Sequence, residues 1–471
     1  MQKEMKLPIR AAPYRHQIEA ADFALKRLAC GGGAALLMEM GTGKTITAIA
    51  VTGTLWEAGY IQRLLVVAPL SILGVWEDEF KKFAAFEYSF SRLTGTSVQK
   101  VDAIRHMKGT LLQVLVVNYE SAWRLEKELL KWSPDLIIAD EGHKMKSHNI
   151  AASKAMHRLA AKAQYRMLLT GTVITNKPVD VFSQYKFADP EVYGNSFYQF
   201  RNRYFDMVGY GQHTPVMKKS MEKEFTRRLH SIAFRATKAE CLDLPETTDI
   251  VQRIDLEPSA MHMYQKLAKE NFAELENGSV TVTNVLTRLV RLSQLTGGFL
   301  GGDDTPAPEQ VSSAKLDALS DLIDSMEQDR KKLVIIARYV PEIHAIGKLL
   351  TKKGIQYSQI SGAIKNRDEQ VAAFQHDPNV TVFVGQISTA SVGFTITAAS
   401  NMVFYSLDYS MSNYEQTRAR IHRVGQFFPC TYIHLMAKGT VDEKVLQALR
   451  DKVSLAKMLV DESQTGHNPF I

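Results

Sequence analysis

The residues best suited to chemistry are Met40-Gly41-Thr42-Gly43-Lys44-Thr45. An apolar run ending at Met38 feeds this stretch, and the apolar-rich segment Ile46 to Trp56 follows it. That order reads as strand, glycine turn, helix. Glycines let backbone N–H groups close around phosphate oxygens, and the helix N-terminus favours the negative charge. Lys44 can reach β- and γ-phosphates, and the Thr45 hydroxyl can hold Mg²⁺. The longer phosphate-loop pattern has a glycine where this chain has Met38. The short Gly-x-Gly-Lys-Thr form therefore carries the reading, against the plainer alternative of a flexible turn before a helix.

Two carboxylates, Asp140 and Glu141, follow the apolar run Leu136 to Ala139, 96 residues after Lys44. Neighbouring side chains at a strand end diverge, so Asp140 can orient the metal while Glu141 orients or deprotonates an attacking water. Without the phosphate loop, the same pair would read as an ordinary acidic loop. Thr170-Gly171-Thr172 ends another apolar run and suits a relay of nucleotide state; a plain turn is its alternative. Gln17 precedes the phosphate loop, and its amide both donates and accepts, as adenine reading requires. Far along the chain, Arg420 and Arg423 stand three apart, a spacing that puts two guanidiniums on one helical face. Aimed at a γ-phosphate they would act as arginine fingers; a basic surface helix is the bland reading. His422 reads as a hydrogen-bonded structural histidine.

These residues must be held by something regular. From residue 14 to 188 helical and strand patterns alternate, with strands expected at 64–68, 114–118, 136–139 and 165–169, and helices at 14–30, 74–83, 121–132, 151–163 and 179–187. Such alternation predicts an α/β fold with a parallel sheet and sites at strand C-terminal ends. From 178 to about 310 it breaks. The segment 193–235 interleaves aromatics (Tyr193, Tyr198, Phe200, Tyr204) with basic residues (Arg201, Arg203, Arg227, Arg228). It reads as a nucleic-acid grip or as helices with an aromatic core face and a solvated basic face. Asp243 to Thr248 reads as a linker, and Gly301 to Pro308 as the clearest loop. Alternation resumes with strands at 333–337, 355–360, 380–384 and 402–405.

The chain has 471 residues, 45% of them hydrophobic, enough for two or three cores. Its net charge of +7 suits a polyanionic partner and equally a solvated basic surface. Cys30, Cys241 and Cys430 are widely spaced, which argues against a zinc site or disulfide framework. Met1 to Arg10 has no apolar h-region, and no run reaches the length of a membrane span.

Together the motifs resemble those of superfamily-two helicase motors, and within them the Swi/Snf family of DNA translocases. The resemblance runs from about residue 10 to 458. Tyr14 to Gln17 resembles the adenine-reading motif, Met40 to Thr45 motif I, Val66 to Leu73 with Trp76 and Glu77 motif Ia, Asp140 to His143 the DEGH box, and Leu169 to Thr172 motif III. Gln416, Arg420 and Arg423 match motif VI, and His422-Arg423-Val424-Gly425-Gln426 is close to a family signature. Two departures stand out. Val173 replaces the usual Pro, and Ser388 to Thr395 carries one glycine where motif V has two, a form similar to the annealing-helicase branch.

The resemblance implies two tandem RecA-like domains (parallel sheets flanked by helices) with inserted helical protrusions. The expected bounds are 1–187 for the ATP-binding domain, 188–310 for protrusions and linker, 311–455 for the helicase domain and 456–471 for a tail. It implies ATP and Mg²⁺ at Gln17, Met40 to Thr45, Asp140 and Gln416, coupling through His143 and Thr170 to Thr172, and DNA contacts at Ser71, Lys146, Arg338, Ser361 and Thr395. The implied activity is a DNA-dependent ATPase that translocates on duplex or branched DNA and remodels or branch-migrates it. A strand-separating DNA or RNA helicase is the alternative, and a non-catalytic clamp a third. The expected setting is a monomeric, nucleoid-associated motor in the cytoplasm of a bacterial or phage-infected cell, with no membrane.

Overall fold

Strands that are apolar at every position can be stable only if both faces are covered, which is the condition for a parallel sheet. The computed structural model describes residues 6–145, 147–171, 178–208, 214–241, 244–276, 282–301, 308–328, 331–362, 364, 366–390 and 394–451. In it the chain divides into two units, residues 1–243 and 244–471.

The first unit contains β1 (Ala34–Met38), β2 (Arg63–Ala68), β3 (Tyr88–Arg92), β4 (Leu112–Asn118), β5 (Leu136–Asp140), β6 (Tyr165–Thr170), the hairpin β7 (Phe205–Val208) with β8 (Thr214–Met217), and β9 (Ala233–Ala236). Seven of these form one sheet in the order β3-β4-β2-β5-β6-β1-β9, every pairing parallel. Successive side chains point to opposite faces, so Ala35 and Leu37 enter one core while Leu36 and Met38 enter the other. The helix read over 121–132 is two, Tyr119–Arg124 and Glu126–Trp132. The chain bends at Leu125, which turns into the core.

The second unit adds β10 (Thr247–Ile254), the short ladder β11 (Phe299–Leu300) with β12 (Glu309–Gln310), then β13 (Leu333–Ala337), β14 (Gln356–Ile360), β15 (Val380–Gln386), β16 (Asn401–Phe404) and β17 (Cys430–Ala437). Six form a second parallel sheet, β10-β17-β16-β13-β15-β14, with β14 at one edge. Here too alternate residues separate: Val334 and Ile336 into one core, Leu333 and Ile335 into the other.

Two elements differ from the sequence reading. The stretch 188–310 is split between the units, with β9 closing the edge of the first sheet and β10 that of the second. The last two residues of the expected linker, Thr247 and Thr248, are the start of β10, whose Thr247 to Val251 pair with Cys430 to His434. Most of the aromatic segment after 193 resolves as core packing, though Tyr198 is exposed with the Arg201 guanidinium over its ring. Tyr193, Phe200, Tyr204, Phe205 and Phe225 are buried against one another, while Arg203 and Arg228 both pair with Glu224. Lys146, Thr172, Val173, Ser391 to Gly393 and the tail lie outside the described residues. Among the described residues no helix is long and apolar enough to cross a membrane.

Candidate functional site

The phosphate loop leaves β1, the acidic pair ends β5, and Thr170-Gly171 ends β6, and these three strands are neighbours in the order β5-β6-β1. Leu37 pairs with Thr170, and Asp140 with Leu169, so all three strands end at one level. A parallel sheet places its sites at such an edge.

Helix Lys44–Glu57 begins on Gly43, whose φ of 90° belongs to the left-handed region. A Cβ there would also crowd the Gln17 amide, 2.1 Å from Nε2, which would have to move. Gln17 and His16 lie at the start of helix Arg15–Ala29, and both donate to the Thr42 carbonyl, at 3.2 and 2.7 Å. The Thr42 hydroxyl donates to the Glu39 carbonyl at 2.7 Å. The loop is thus braced by its own chain and by the helix that carries Gln17. Lys44 Nζ donates to the Met38 carbonyl at 2.9 Å, folding back over the loop. A Cβ on Gly171 would stand 3.6 Å from that ammonium, which places motif III beside it.

Asp140 is buried. Its Oδ2 accepts from Trp76 Nε1 at 2.9 Å, its Oδ1 from the Glu141 N–H at 2.9 Å, and its backbone carbonyl from the Tyr119 hydroxyl at 2.8 Å. Burial, with the Glu141 charge adding to it, pushes its carboxyl up to about 6, while Lys44 and the Trp76 hydrogen bond pull the other way. Glu141 has φ +50°, a strained value for a side-chain-bearing residue. Its carboxylate lies 3.2 Å from His143 Nδ1. Gly142 is tight as well: a Cβ there would meet Leu168 at 2.1 Å.

The oxygen donors Thr45 and Asp140 suit Mg²⁺, which prefers few protein ligands and takes the rest from phosphates and water. Among the described residues there is no cluster of three or more His, Cys, Asp or Glu side chains able to hold a metal. One carboxylate and one hydroxyl are the set available.

In the second unit the sequence reading needs one correction. Helix Met411–Arg418, which carries Gln416, ends before the two arginines, so Arg420 and Arg423 do not share a helical face. The Arg420 N–H closes a tight turn onto the Thr417 carbonyl, and its own carbonyl accepts from the Ile396 N–H instead of continuing the helix. The pairing survives by another route, because both guanidiniums donate to the Phe394 carbonyl, at 3.0 and 3.5 Å. Thr395 follows directly and is half-buried. His422 donates to the Pro245 carbonyl at 2.9 Å, a structural role.

Arg338 and Ser361 follow β13 and β14. The Gln386 amide, ending β15, donates to the Arg338 carbonyl at 3.3 Å and accepts from the Gly362 N–H at 3.2 Å. The Arg338 guanidinium lies 3.9 Å over the Tyr409 ring. Ser361 is buried, and Ser71 lies in the single turn Leu70–Ile72.

Sequence reasoning missed His16, Tyr119 and Gln386, and gave Trp76 no role. His16 sat inside a quoted motif, one residue from Gln17. Tyr119 and Gln386 reach the ends of other strands of their sheets, a relationship that chain order alone does not encode.

Phosphate loop, acidic pair and a parallel sheet that brings them to one edge define a nucleoside-triphosphate site of the RecA-like kind. Residues 16–296 match the SNF2-related domain, and residues 314–425 the helicase conserved C-terminal domain. The chain belongs to the SNF2-related family, a SWI2/SNF2-type motor in class, and this pair of modules is that of an ATP-hydrolysing enzyme. It is 27% identical over 483 residues to the DNA repair and recombination protein RDH54 of Saccharomyces cerevisiae (strain JAY291), covering 92% of this chain and 52% of that protein. It is 26% identical to the mouse chromodomain-helicase-DNA-binding protein 1-like, covering 95% and 50%. The chain thus spans about half the length of these curated relatives. A Sulfolobus solfataricus SWI2/SNF2 ATPase core in complex with dsDNA is similar at 23% identity and a TM-score of 0.48, over 100% of this chain and 99% of that one.

Proposed function

We propose that the chain is an ATP-dependent double-stranded DNA translocase that remodels or branch-migrates DNA without ordinary strand separation. The observation that carries the reading is the meeting of the phosphate loop with Lys44, Thr170-Gly171 and the Asp140–Glu141 pair at the ends of the three neighbouring parallel strands β1, β6 and β5. Gln17 reads the base, and the loop from Met40 to Thr45 holds the phosphates. Thr45 and Asp140 would hold Mg²⁺, which supplies charge neutralisation on the phosphate oxygens. Glu141 takes the proton of the attacking water, held in place by its contact with His143. Arg420 and Arg423, with Gln416, act as the finger set, contributing on closure of the two units and coupling turnover to movement. Arg338, Ser361, Thr395, Ser71 and Lys146 are the proposed DNA contacts, with Thr170 to Thr172 as the relay.

Duplex tracking rather than strand separation rests on the His422 to Gln426 signature and on relatives named for DNA repair and recombination. Placement near annealing helicases rests on the single glycine of Ser388 to Thr395; a monomeric motor of bacterial or phage setting is proposed alongside. The test is ATPase rate with duplex, branched and single-stranded DNA and with RNA. Stimulation greatest with duplex or branched DNA supports the proposal. Stimulation by RNA alone overturns it.

A further inference from the structure

The second unit has a groove of about 530 Å³ that the proposed motor chemistry does not use. It lies between helix Val340–Lys352 and the edge strand β14, and is lined by His344, Gly347, Lys348, Thr351, Lys352, Tyr357 and Gln359. Among the described residues no acidic side chain lines it. His344, Lys348 and Lys352 are each four residues apart, so they form one stripe along the helix, about 6 Å between neighbours. All three are exposed, and among the described residues neither ammonium has a hydrogen-bond or ion-pair partner. Lys353, just outside the stripe, is by contrast paired with Asp324 at 2.5 Å.

The floor is shaped rather than incidental. Gly347 sits within the helix, where glycine costs about 1 kcal/mol relative to alanine. A Cβ there would lie 2.8 Å from the Tyr357 hydroxyl. Tyr357 and Gln359 alternate with the buried Ser358 and Ile360, so they share the face turned to the helix. A hydroxyl and an amide thus stand opposite the two unpartnered ammoniums and the His344 imidazole.

We propose that this groove binds the phosphodiester backbone of a nucleic-acid strand, as a second contact apart from the loops that carry Arg338, Ser361 and Thr395. Two ammoniums one helical turn apart, in line with an imidazole, match a linear polyanion better than a compact anion, which needs converging donors. The proposal rests on reading the chain as a DNA motor.

The test measures binding of a fluorescent oligonucleotide, single-stranded and duplex, to the full chain without ATP over a range of salt. The double variant Lys348→Glu, Lys352→Glu is compared with Lys108→Glu, Lys162→Glu, two exposed lysines of the first unit carrying the same charge change. The groove pair is expected to weaken binding at least ~10-fold at low salt, with the log–log salt slope reduced by about 1.4 for a single strand and about 1.8 for duplex. The control pair is expected to keep the wild-type slope. An equal loss in both pairs, or an unchanged slope in the groove pair, overturns the proposal. So does displacement of the oligonucleotide by inorganic pyrophosphate at a concentration equal to the oligonucleotide's own Kd, which would make this a small-anion site. Thermal unfolding checks the fold, and Lys348→Gln with Lys352→Gln serves if the glutamates unfold the unit. Wild-type ATPase stimulation by duplex DNA is read separately: its absence rejects the motor and leaves the binding result to judge the groove.

Discussion

Trp76 Nε1 donates a 2.9 Å hydrogen bond to Asp140 Oδ2, joining helix Leu73–Phe83 to the end of β5 inside the first core. The indole holds a buried carboxylate that its surroundings already push up to about 6. Trp76→Phe keeps most of the packing and removes the donor. Losing a hydrogen bond to a charged group costs about 1.5–3 kcal/mol. ATP turnover is expected to fall ~10-fold, with the acid limb of the pH–rate profile moved to higher pH. A profile unmoved on the pH axis would assign Trp76 to packing alone.

Glu141→Gln removes the proposed base while leaving the loop and Lys44 intact. A positioned base contributes about 10²–10⁴-fold, so turnover is expected to drop by at least ~100-fold with ATP affinity little altered. Normal turnover in this variant would remove Glu141 from the mechanism.

Gly43 combines a left-handed φ with a Cβ position occupied by Gln17. Gly43→Ala is therefore expected to lose ATP binding and about 1–3 kcal/mol of stability, read by nucleotide titration and thermal melting together. An alanine variant that binds ATP normally would contradict the bracing of the loop by Gln17.

Glu342 is wholly buried in the second unit. Its Oε2 accepts from the Ser406 hydroxyl and from the Arg338 and Tyr339 N–H groups. Burial pushes its carboxyl up to about 7. Because the folded value is the higher one, the protonated form contributes stability that is full below about 4.5 and is lost as pH rises through about 7. Glu342→Gln keeps an oxygen for the three donors and removes the charge. It is expected to be more stable than wild type at pH 8 by about 1–3 kcal/mol, with the difference vanishing near pH 4. Chemical denaturation at both pH values measures it.

Arg420 and Arg423 converge on the Phe394 carbonyl. Arg423→Ala is expected to cut hydrolysis by ~10³-fold or more while ATP affinity changes little. Equal loss of binding and turnover would count against a finger.

Much of the α/β alternation was legible because fully buried parallel strands read as continuous apolar runs bounded by breakers. Leu333–Ala337 is one, assigned to the residue. The missed strands failed for separate reasons. Tyr88–Arg92 is a half-buried edge, β9 is four residues long, and β10 is mostly exposed, so none carries a strong apolar signal. β17 did carry one, an eight-residue run between Pro429 and Gly439, but its His434 disguised it. That ring is buried, hydrogen-bonded to the Tyr414 hydroxyl and stacked on Phe404. At the site, residue types named Lys44, Asp140 and Glu141, since phosphate and proton chemistry restrict the choices. The braces Trp76, Tyr119, His16 and Gln386 act between separate elements that the fold brings together, and spacing along the chain does not report them.

The central claim is movement along duplex DNA driven by ATP. It is tested most directly by displacement of a third strand from a triplex whose underlying duplex is labelled on both strands. The account predicts ATP-dependent release of the third strand while the duplex stays annealed, and no release by Lys44→Ala. Separation of the duplex strands, or release independent of ATP, would contradict it.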